Sequence, residues 1–435
     1  MTPAARIAAA IEVLADIEAR RRPAPDALKD WGLARRFAGS KDRAAVASLV
    51  YDALRCRASA AFLMGADTPR AVVIGMLARL RNLDAAAIAG LFSGERHAPA
   101  PLTQGEAARL VAPPSLADAP AHVAGDFPEW LAPSFAAAFG EVAVDEMQAM
   151  VARAPLDIRV NTLKVTREAL AGELEHFSPL RTPHSIDGLR FTVGEDGRGP
   201  SLQSEPSFLD GQFEIQDEGS QLAARLTLAQ PGERIVDLCA GAGGKTLALA
   251  ALMRNGGALF ATDVDTRRLV PLHGRVARSG ASHVEVRSPK GRYDPARPDP
   301  LADLAGSIDC VVVDAPCTGT GTWRRNPDAK WRLRPGALAE RVKDQAVVLD
   351  RAARLVRPGG RIAYITCSLL PEENNSAVTA FMGRHAGFAV APVADVLAAA
   401  GLPLLPHRET ATGGILLTPR VTGTDGFFVT VLRRS

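Results

Sequence analysis

The spacing of apolar residues divides the chain into three stretches. In the first 22 residues, MTPAARIAAAIEVLADIEARRR, Ile7, Ile11, Leu14 and Ile17 recur at helical spacing. This predicts an amphipathic helix, and Glu12, Asp16 and Glu18 inside the apolar run argue against a signal peptide. Helical patterning rich in Ala, Leu and Arg continues to about residue 140 with no alternating strand pattern. Near its end, VAPPSLADAPAHVAGDFPEWLAP has the Pro and Ala content of a junction, and DFPEWL opens a short new helix. Residues 141–228 read as a small α+β unit. LDIRVNTLK and LRFTVG are strands there, VTREALAGELEHF is a helix, and FEIQDEGSQLAARLTL passes from strand to helix.

From 229 to 435 short apolar runs alternate with helical periods. ERIVDLCA, GALFATDVD, HVEVRS, SIDCVVVDAP and GRIAYITCS are strands, KTLALAALMRN and GALAERVKDQAVVLDRAARLV are among the helices between them, and GFFVTVLRR closes the chain as a last strand. Such alternation predicts a doubly wound α/β domain, a parallel sheet covered on both faces. Ligands of these sheets sit beyond the carboxyl ends of the strands. We therefore expect an all-α domain over 1–140, a small α+β domain over 141–228 and a Rossmann-like domain over 229–435.

Composition narrows the class. At 435 residues, 47% hydrophobic and 23% charged, the chain has ordinary globular values, and no apolar run approaches the roughly 18 residues of a membrane span. Five cysteines, an odd number, suggest reduced thiols and a cytoplasmic protein without a membrane partner. Net charge is only +3, yet residues 1–110 hold 16 Lys/Arg against 11 Asp/Glu, with basic clusters in EARRRPAP, LARRF and SKDR. Such a patch can neutralise phosphates; a solvated helical face is the competing reading.

The stretch DLCAGAGGKT, Asp237 to Thr246, raises the first chemical question. It ends like a P-loop, G-x-x-x-x-G-K-[ST], but the first required glycine falls on Cys239. A nucleoside triphosphatase is disfavoured on that ground, although Asp314 ends a strand where a magnesium-holding acid would sit. The alternative fits better. Gly241 and Gly243 form a glycine turn after the first strand, and Asp263, twenty positions after Gly243, ends the second strand where a carboxylate can accept both ribose hydroxyls. The combination points to a dinucleotide or to S-adenosylmethionine. A packing turn beside a surface acid is the competing reading.

Two cysteines separate these cofactors. Cys317 lies in DAPCTGTG after the fourth strand and Cys367 in YITCSLLPEEN after the fifth, both on the ligand side. Neither has metal-like C-x-x-C spacing, so no metal is expected. A thiol beside a methyl donor suits cytosine. Thiolate addition at carbon 6 breaks the ring's aromaticity and makes carbon 5 nucleophilic toward a sulfonium methyl group. Asp314 is placed to hydrogen-bond ring N3.

DLCAGAGGKT, ATDVD, DAPCTGTGTWRRNPD, KW, YITCSLLPEENN and the closing DGFF resemble the NOL/NOP/Sun family of RNA cytosine-5 methyltransferases. IRVNTLK and IQDEGSQLAA resemble that family's N-terminal catalytic extension. GSKDRAAVASLVYDALR is similar to the NusB-like helical RNA-binding domain of the bacterial Sun/Fmu group, which methylates 16S ribosomal RNA. The resemblance implies that Cys367 is the nucleophile and that Cys317 assists breakdown of the adduct. It implies that Asp314 contacts cytosine beside the cofactor. It also implies that Cys239, Ala240, Gly241, Ala242, Gly243, Gly244 and Lys245 surround the methionine part of S-adenosylmethionine, with Asp263 on its ribose and the Lys245 charge reaching the active site. The implied partner is RNA, 16S ribosomal RNA ahead of transfer RNA, and the implied state is a monomer. A non-catalytic RNA-binding factor is the remaining alternative; it would have lost its cysteines.

The chain departs from the family at two places. The usual C-A-A-P-G-G-K loop is CAGAGGK here, with Ala242 for proline, and Lys290 stands where an acid near adenine is usual, Asp294 being displaced. WRRNPDAKWRLR, Trp323 to Arg334, interleaves aromatic and basic residues and is expected to meet a flipped-out cytidine, with a structural loop packing Trp331 as the alternative. Arg20, Arg21 and Arg22 could grip RNA backbone or end a solvated helix. Arg159 and Asn161 are expected to support the site or contact RNA, against a purely structural strand. Cys56, Cys239 and Cys310 are expected to be non-nucleophilic.

Overall fold

A computed structural model describes residues 1–194, 197–289 and 299–435. They form two units: Met1–Arg153 with Gly194–Arg198 and Trp323–Arg334, and Ala154–Val193 with Gly199–Thr322 and Pro335–Ser435. Among the described residues, no single helix is long and apolar enough to cross a membrane, and no group of His, Cys, Asp or Glu could hold a metal ion.

The first unit is helical. Its opening helix, Pro3–Arg20, is capped by the Thr2 hydroxyl and buries Ile7, Val13, Leu14 and Ile17, the face expected from the spacing, with Ile11 packed beside it. Thr68 and Asp84 cap the helices Pro69–Arg79 and Ala85–Leu91, and Thr103 with Glu106 forms a reciprocal capping box at Gln104–Val111. The helices Arg57–Met64 and Pro69–Arg79 approach closely at Gly75, where a Cβ would lie 2.6 Å from the Ala60 carbonyl oxygen. A buried carboxylate, Asp126, accepts from the Ser59 amide and hydroxyl and from Arg79. This is the satisfied arrangement that a buried charge requires.

The segment Trp323–Arg334 contributes to this helical core. Trp323 is 1% exposed and meets the Phe135 ring edge-on. Lys330 is buried, donates from Nζ to the Arg55 carbonyl at 2.9 Å and lies over the Trp331 ring. The Trp331 indole donates to the Leu54 carbonyl, and Asp328 accepts from the Ala24 amide. The expectation that this stretch meets a flipped-out base is therefore corrected for Trp323 and Lys330. Burial of the Trp323 ring and the Lys330 stem removes both from RNA. Only Arg332 and Arg334 of the stretch's downstream end stay exposed.

The second unit holds two sheets. The smaller comprises β1 (Leu156–Val160), β2 (Leu180–Arg181), β3 (Gly188–Phe191) and β4 (Phe213–Ile215), antiparallel in the order β2-β3-β1-β4. The larger contains β5 (Arg234–Asp237), β6 (Ala258–Ala261), β7 (Val284–Val286), β8 (Ile308–Asp314), β9 (Val356–Thr366), β10 (Phe388–Val390), β11 (Arg408–Glu409), β12 (Ile415–Leu417) and β13 (Phe427–Arg434). Strands β9-β8-β5-β6-β7 are parallel neighbours in that order. The order reverses between β5 and β8, the switch point where doubly wound sheets bind ligands. β13 pairs antiparallel with β9, and the short strands β10, β11 and β12 extend that edge. Near-continuous apolar runs such as Val311, Val312 and Val313 suit strands buried on both faces.

Buried polar pairs fasten the small sheet to the large one. Asn161 gives both amide hydrogens to the Gly211 and Ser279 carbonyls, and Glu214 pairs with Arg275 and Arg278. Asn161 is thus structural. Arg159, its guanidinium pushed down to about 10 by burial, donates to Gln216.

If Trp323 is core rather than an RNA-stacking residue, Trp323→Ala should cost about 3–5 kcal/mol of stability. Thermal melts of the full chain without RNA would show it; an unchanged melt would contradict the packing described.

Candidate active site

Strands β8 and β9 run parallel with Asp314 beside Ile365, and the Ala315 amide donates to the Ile365 carbonyl. The pairing carries both strand ends to one edge, where the Cys317 and Cys367 sulfur atoms lie 3.3 Å apart. The two thiols are in direct contact although fifty residues separate them. Three further interactions hold the turns. Glu373, buried, accepts from the Thr318 amide and hydroxyl. The Gln345 amide bridges the Pro316 carbonyl and Glu373. The Gly321 amide donates to the Cys367 carbonyl, while the Gly321 carbonyl accepts from Gly426, whose backbone leaves no room for a Cβ at Gly321.

The thiols differ in character. Contact with Cys367, then burial, holds the Cys317 thiol well above the usual cysteine range. Burial raises Cys239 likewise and pushes Cys310 up to about 11. Cys56 is fully buried and raised as well. These three stay protonated at neutral pH, as expected for non-nucleophilic cysteines.

The glycine turn joins β5 to the helix Gly244–Leu252. Gly241 and Gly243 have φ of 50° and 90°, and a Cβ at Gly243 would sit 2.2 Å from the Leu272 side chain. Glycine is required there by both backbone and space. Asp263 lies two residues past β6, is 1% exposed, accepts from the Gly241 amide at 3.0 Å and pairs with Arg268. Lys245, the second residue of the helix, reaches Asp314 Oδ2 at 2.8 Å and lies over the Phe427 ring. Cys239, Ala240, Ala242 and Gly244 complete the turn, with Ala242 at its exposed tip. A shape-restricted glycine turn, an acid at the next strand end and a cation–carboxylate pair at the switch point fit an adenosine cofactor carrying a charged tail. Lys290 and Asp294, the residues considered for adenine, lie outside the described residues.

Asp237, beneath the turn, was not singled out by its spacing. It is fully buried, accepts from the Thr246 hydroxyl at 2.7 Å, and keeps Oδ1 without a hydrogen-bond partner among the described residues. Burial raises its carboxyl from 3.8 to about 7, against the Thr246 hydrogen bond. Glu373 and Gln345 also escaped sequence reasoning. The acidic run after TCS was the available signal for Glu373; Gln345, inside a long helix, offered none.

A doubly wound sheet with this glycine turn, an acid just past the next strand and an antiparallel final strand is the fold of an S-adenosylmethionine-dependent methyltransferase. Residues 224–433 match the family described as 16S rRNA methyltransferase RsmB/F, and residues 127–193 match its ferredoxin-like domain. The chain is 30% identical over 310 residues to the probable ribosomal RNA small subunit methyltransferase B of Synechocystis, covering 71% of this chain and 67% of that protein. It is 35% identical over 264 residues to ribosomal RNA small subunit methyltransferase B of Pectobacterium atrosepticum, covering 60% and 58%. Among solved structures, PH0851 matches with 27% identity and a TM-score of 0.72 over 100% of this chain and 99% of that one. A methyltransferase homolog from Pyrococcus horikoshii matches with 28% identity and a TM-score of 0.60 over 74% and 99%. The chain belongs to the RsmB/F family of 16S rRNA methyltransferases. The matches span 58–67% of the two curated relatives' own lengths.

The raised Asp237 carboxyl has a signed consequence. The native state binds its proton more tightly than the unfolded chain, so the stability it contributes is full below about 4 and lost as pH rises through about 7. Asp237→Asn cannot ionise. Its melting temperature relative to wild type should therefore climb between about pH 4 and pH 8 in paired melts, and a flat difference would contradict the burial argument.

Proposed function

We propose that this chain forms 5-methylcytosine in 16S ribosomal RNA through a covalent adduct between Cys367 and carbon 6 of the target cytosine. The observation that carries this reading is the contact between the Cys317 and Cys367 sulfurs at the cofactor edge of the sheet. A pair of thiols in contact has no use in a simple transfer to a nitrogen or hydroxyl, whereas cytosine carbon 5 needs nucleophilic activation.

Each residue has a task in this scheme. Cys367 attacks carbon 6 as a thiolate, and Asp314, held by Lys245, hydrogen-bonds the ring N3 and stabilises the charge that develops there. N3 takes a proton from solvent as carbon 6 is attacked, donates that N–H to the Asp314 carboxylate, and gives the proton back when the thiol leaves. Residues Cys239 to Lys245 and Asp263 hold S-adenosylmethionine, which when bound supplies the methyl group to carbon 5. Cys317 then assists release. Once Cys367 is bonded to carbon, it no longer makes the hydrogen bond that, with burial, keeps the Cys317 proton in place. Cys317 can lose that proton to solvent and take the hydrogen from carbon 5; the 5,6 double bond re-forms and the carbon–sulfur bond breaks, returning the Cys367 thiolate. Glu373 and Gln345 keep the Cys317 turn in register throughout.

Labelled S-adenosylmethionine, 16S ribosomal RNA and transfer RNA test this together. Wild type should place label as 5-methylcytosine in 16S RNA, bare or in the small-subunit particle. Cys367→Ala should lower the rate by more than about 10³-fold. Cys317→Ala should accumulate a protein–RNA adduct. Preferential label in transfer RNA would move the substrate assignment, and methyl transfer surviving loss of Cys367 would overturn the nucleophile.

A further inference from the structure

The helical unit carries a cleft of about 470 Å³ where the end of the first helix, the start of Arg57–Met64 and the segment Pro327–Arg334 meet. Five arginines line it against two carboxylates, Glu18 and Asp328. Both acids are already engaged. Glu18 pairs with Arg57 at 2.8 Å, and Asp328 accepts from the Ala24 amide and from Arg332. Arg22 is held by Asp16 and Asp30.

Two guanidiniums are different. Arg21 stands just past the first helix in the left-handed conformation, φ 49°, and its side chain is exposed. Arg334 is exposed at the end of the other segment. None of the described residues forms an ion pair with either. In the same cleft Trp331, half-buried, is fixed by its indole hydrogen bond to Leu54 and lies beneath Arg57, 6.0 Å from ring centroid to guanidinium.

We propose that this cleft grips the phosphodiester backbone of the substrate RNA, with Arg21 and Arg334 each neutralising a phosphate and Trp331 offering an apolar wall. The inference deepens the RNA reading above and rests on it. Two arginines without an ion pair among the described residues, lining one cleft with a fixed indole, match a polyanion with flat bases. An acidic peptide would use the charges but not the ring.

The test uses the full chain and transcribed 16S ribosomal RNA, with binding measured between about 50 and 300 mM KCl. The double variant Arg21→Gln/Arg334→Gln should bind about tenfold more weakly at the lower salt. Its slope of log affinity on log salt should fall by about 1.4–1.8, two contacts' worth. Its melt and its S-adenosylmethionine affinity should match wild type, and Arg21→Lys/Arg334→Lys should restore the slope. An unchanged slope in a folded Gln variant, with wild type binding normally, overturns the cleft alone. Polyglutamate binding wild type as tightly as RNA at matched charge overturns the assigned occupant. Failure of wild type to bind 16S RNA in any form overturns the substrate reading and the cleft with it.

Discussion

The parallel pairing of β8 with β9 is the constraint on which the site depends. Strand pairing sets side-chain direction with a period of two, so a slip of one residue would turn every inward residue outward. In the observed register Asp314 stands beside Ile365, and the two chains leave the sheet at one edge. Only then can the turns after them bring Cys317 and Cys367 into contact. The pairing is protected by burial: Val311 to Val313 and Ile362 to Ile365 are all removed from water. β13, antiparallel on the far side of β9, closes what would otherwise be an open edge beside the second thiol.

The switch point supplies the second half of the site from a different source. There the backbone, rather than a register, is the controlling element. Gly243 must take a positive φ under Leu272, and the Gly241 amide is held by Asp263. This ties the ends of β5 and β6 together before any ligand arrives. Beneath the turn, the buried Asp237 accepts from the Thr246 hydroxyl near the start of the helix. The small sheet adds support through Gln216, which receives Arg159 and contacts Ser220, and through Asp217, which accepts from the Asp425 amide just before Phe427. Phe427 in turn lies under Lys245. The glycine turn and the final strand thus share one buried network.

Local signals carried much of this. The alternation of strands and helices beyond residue 229, the glycine turn with Asp263, and the exits of Cys317 and Cys367 follow from short-range patterns that the sheet preserves. The first helix likewise keeps the face marked by Ile7, Leu14 and Ile17. Other features depend on partners distant in sequence. Trp323 and Lys330 look like an RNA loop because aromatic and basic residues alternate there, yet their environment comes from Phe135 and Arg55. Glu373 and Gln345 are polar residues whose role exists only once the Cys317 turn folds onto them. The short strands β10, β11 and β12 were not anticipated. Strands of two or three residues carry too little periodicity to stand out, and their pairing with β13 and with one another defines them.

The central claim is that one thiol of the pair bonds to the base while the other serves its release. It is tested most directly by offering wild-type protein 16S ribosomal RNA transcribed with 5-fluorocytidine, together with S-adenosylmethionine, and sequencing the RNA-linked peptide by mass spectrometry. Fluorine at carbon 5 cannot leave as a proton, so the adduct should persist, methylated, on the peptide that contains Cys367. A link to Cys317 instead, or methyl transfer without any linked peptide, would contradict the account.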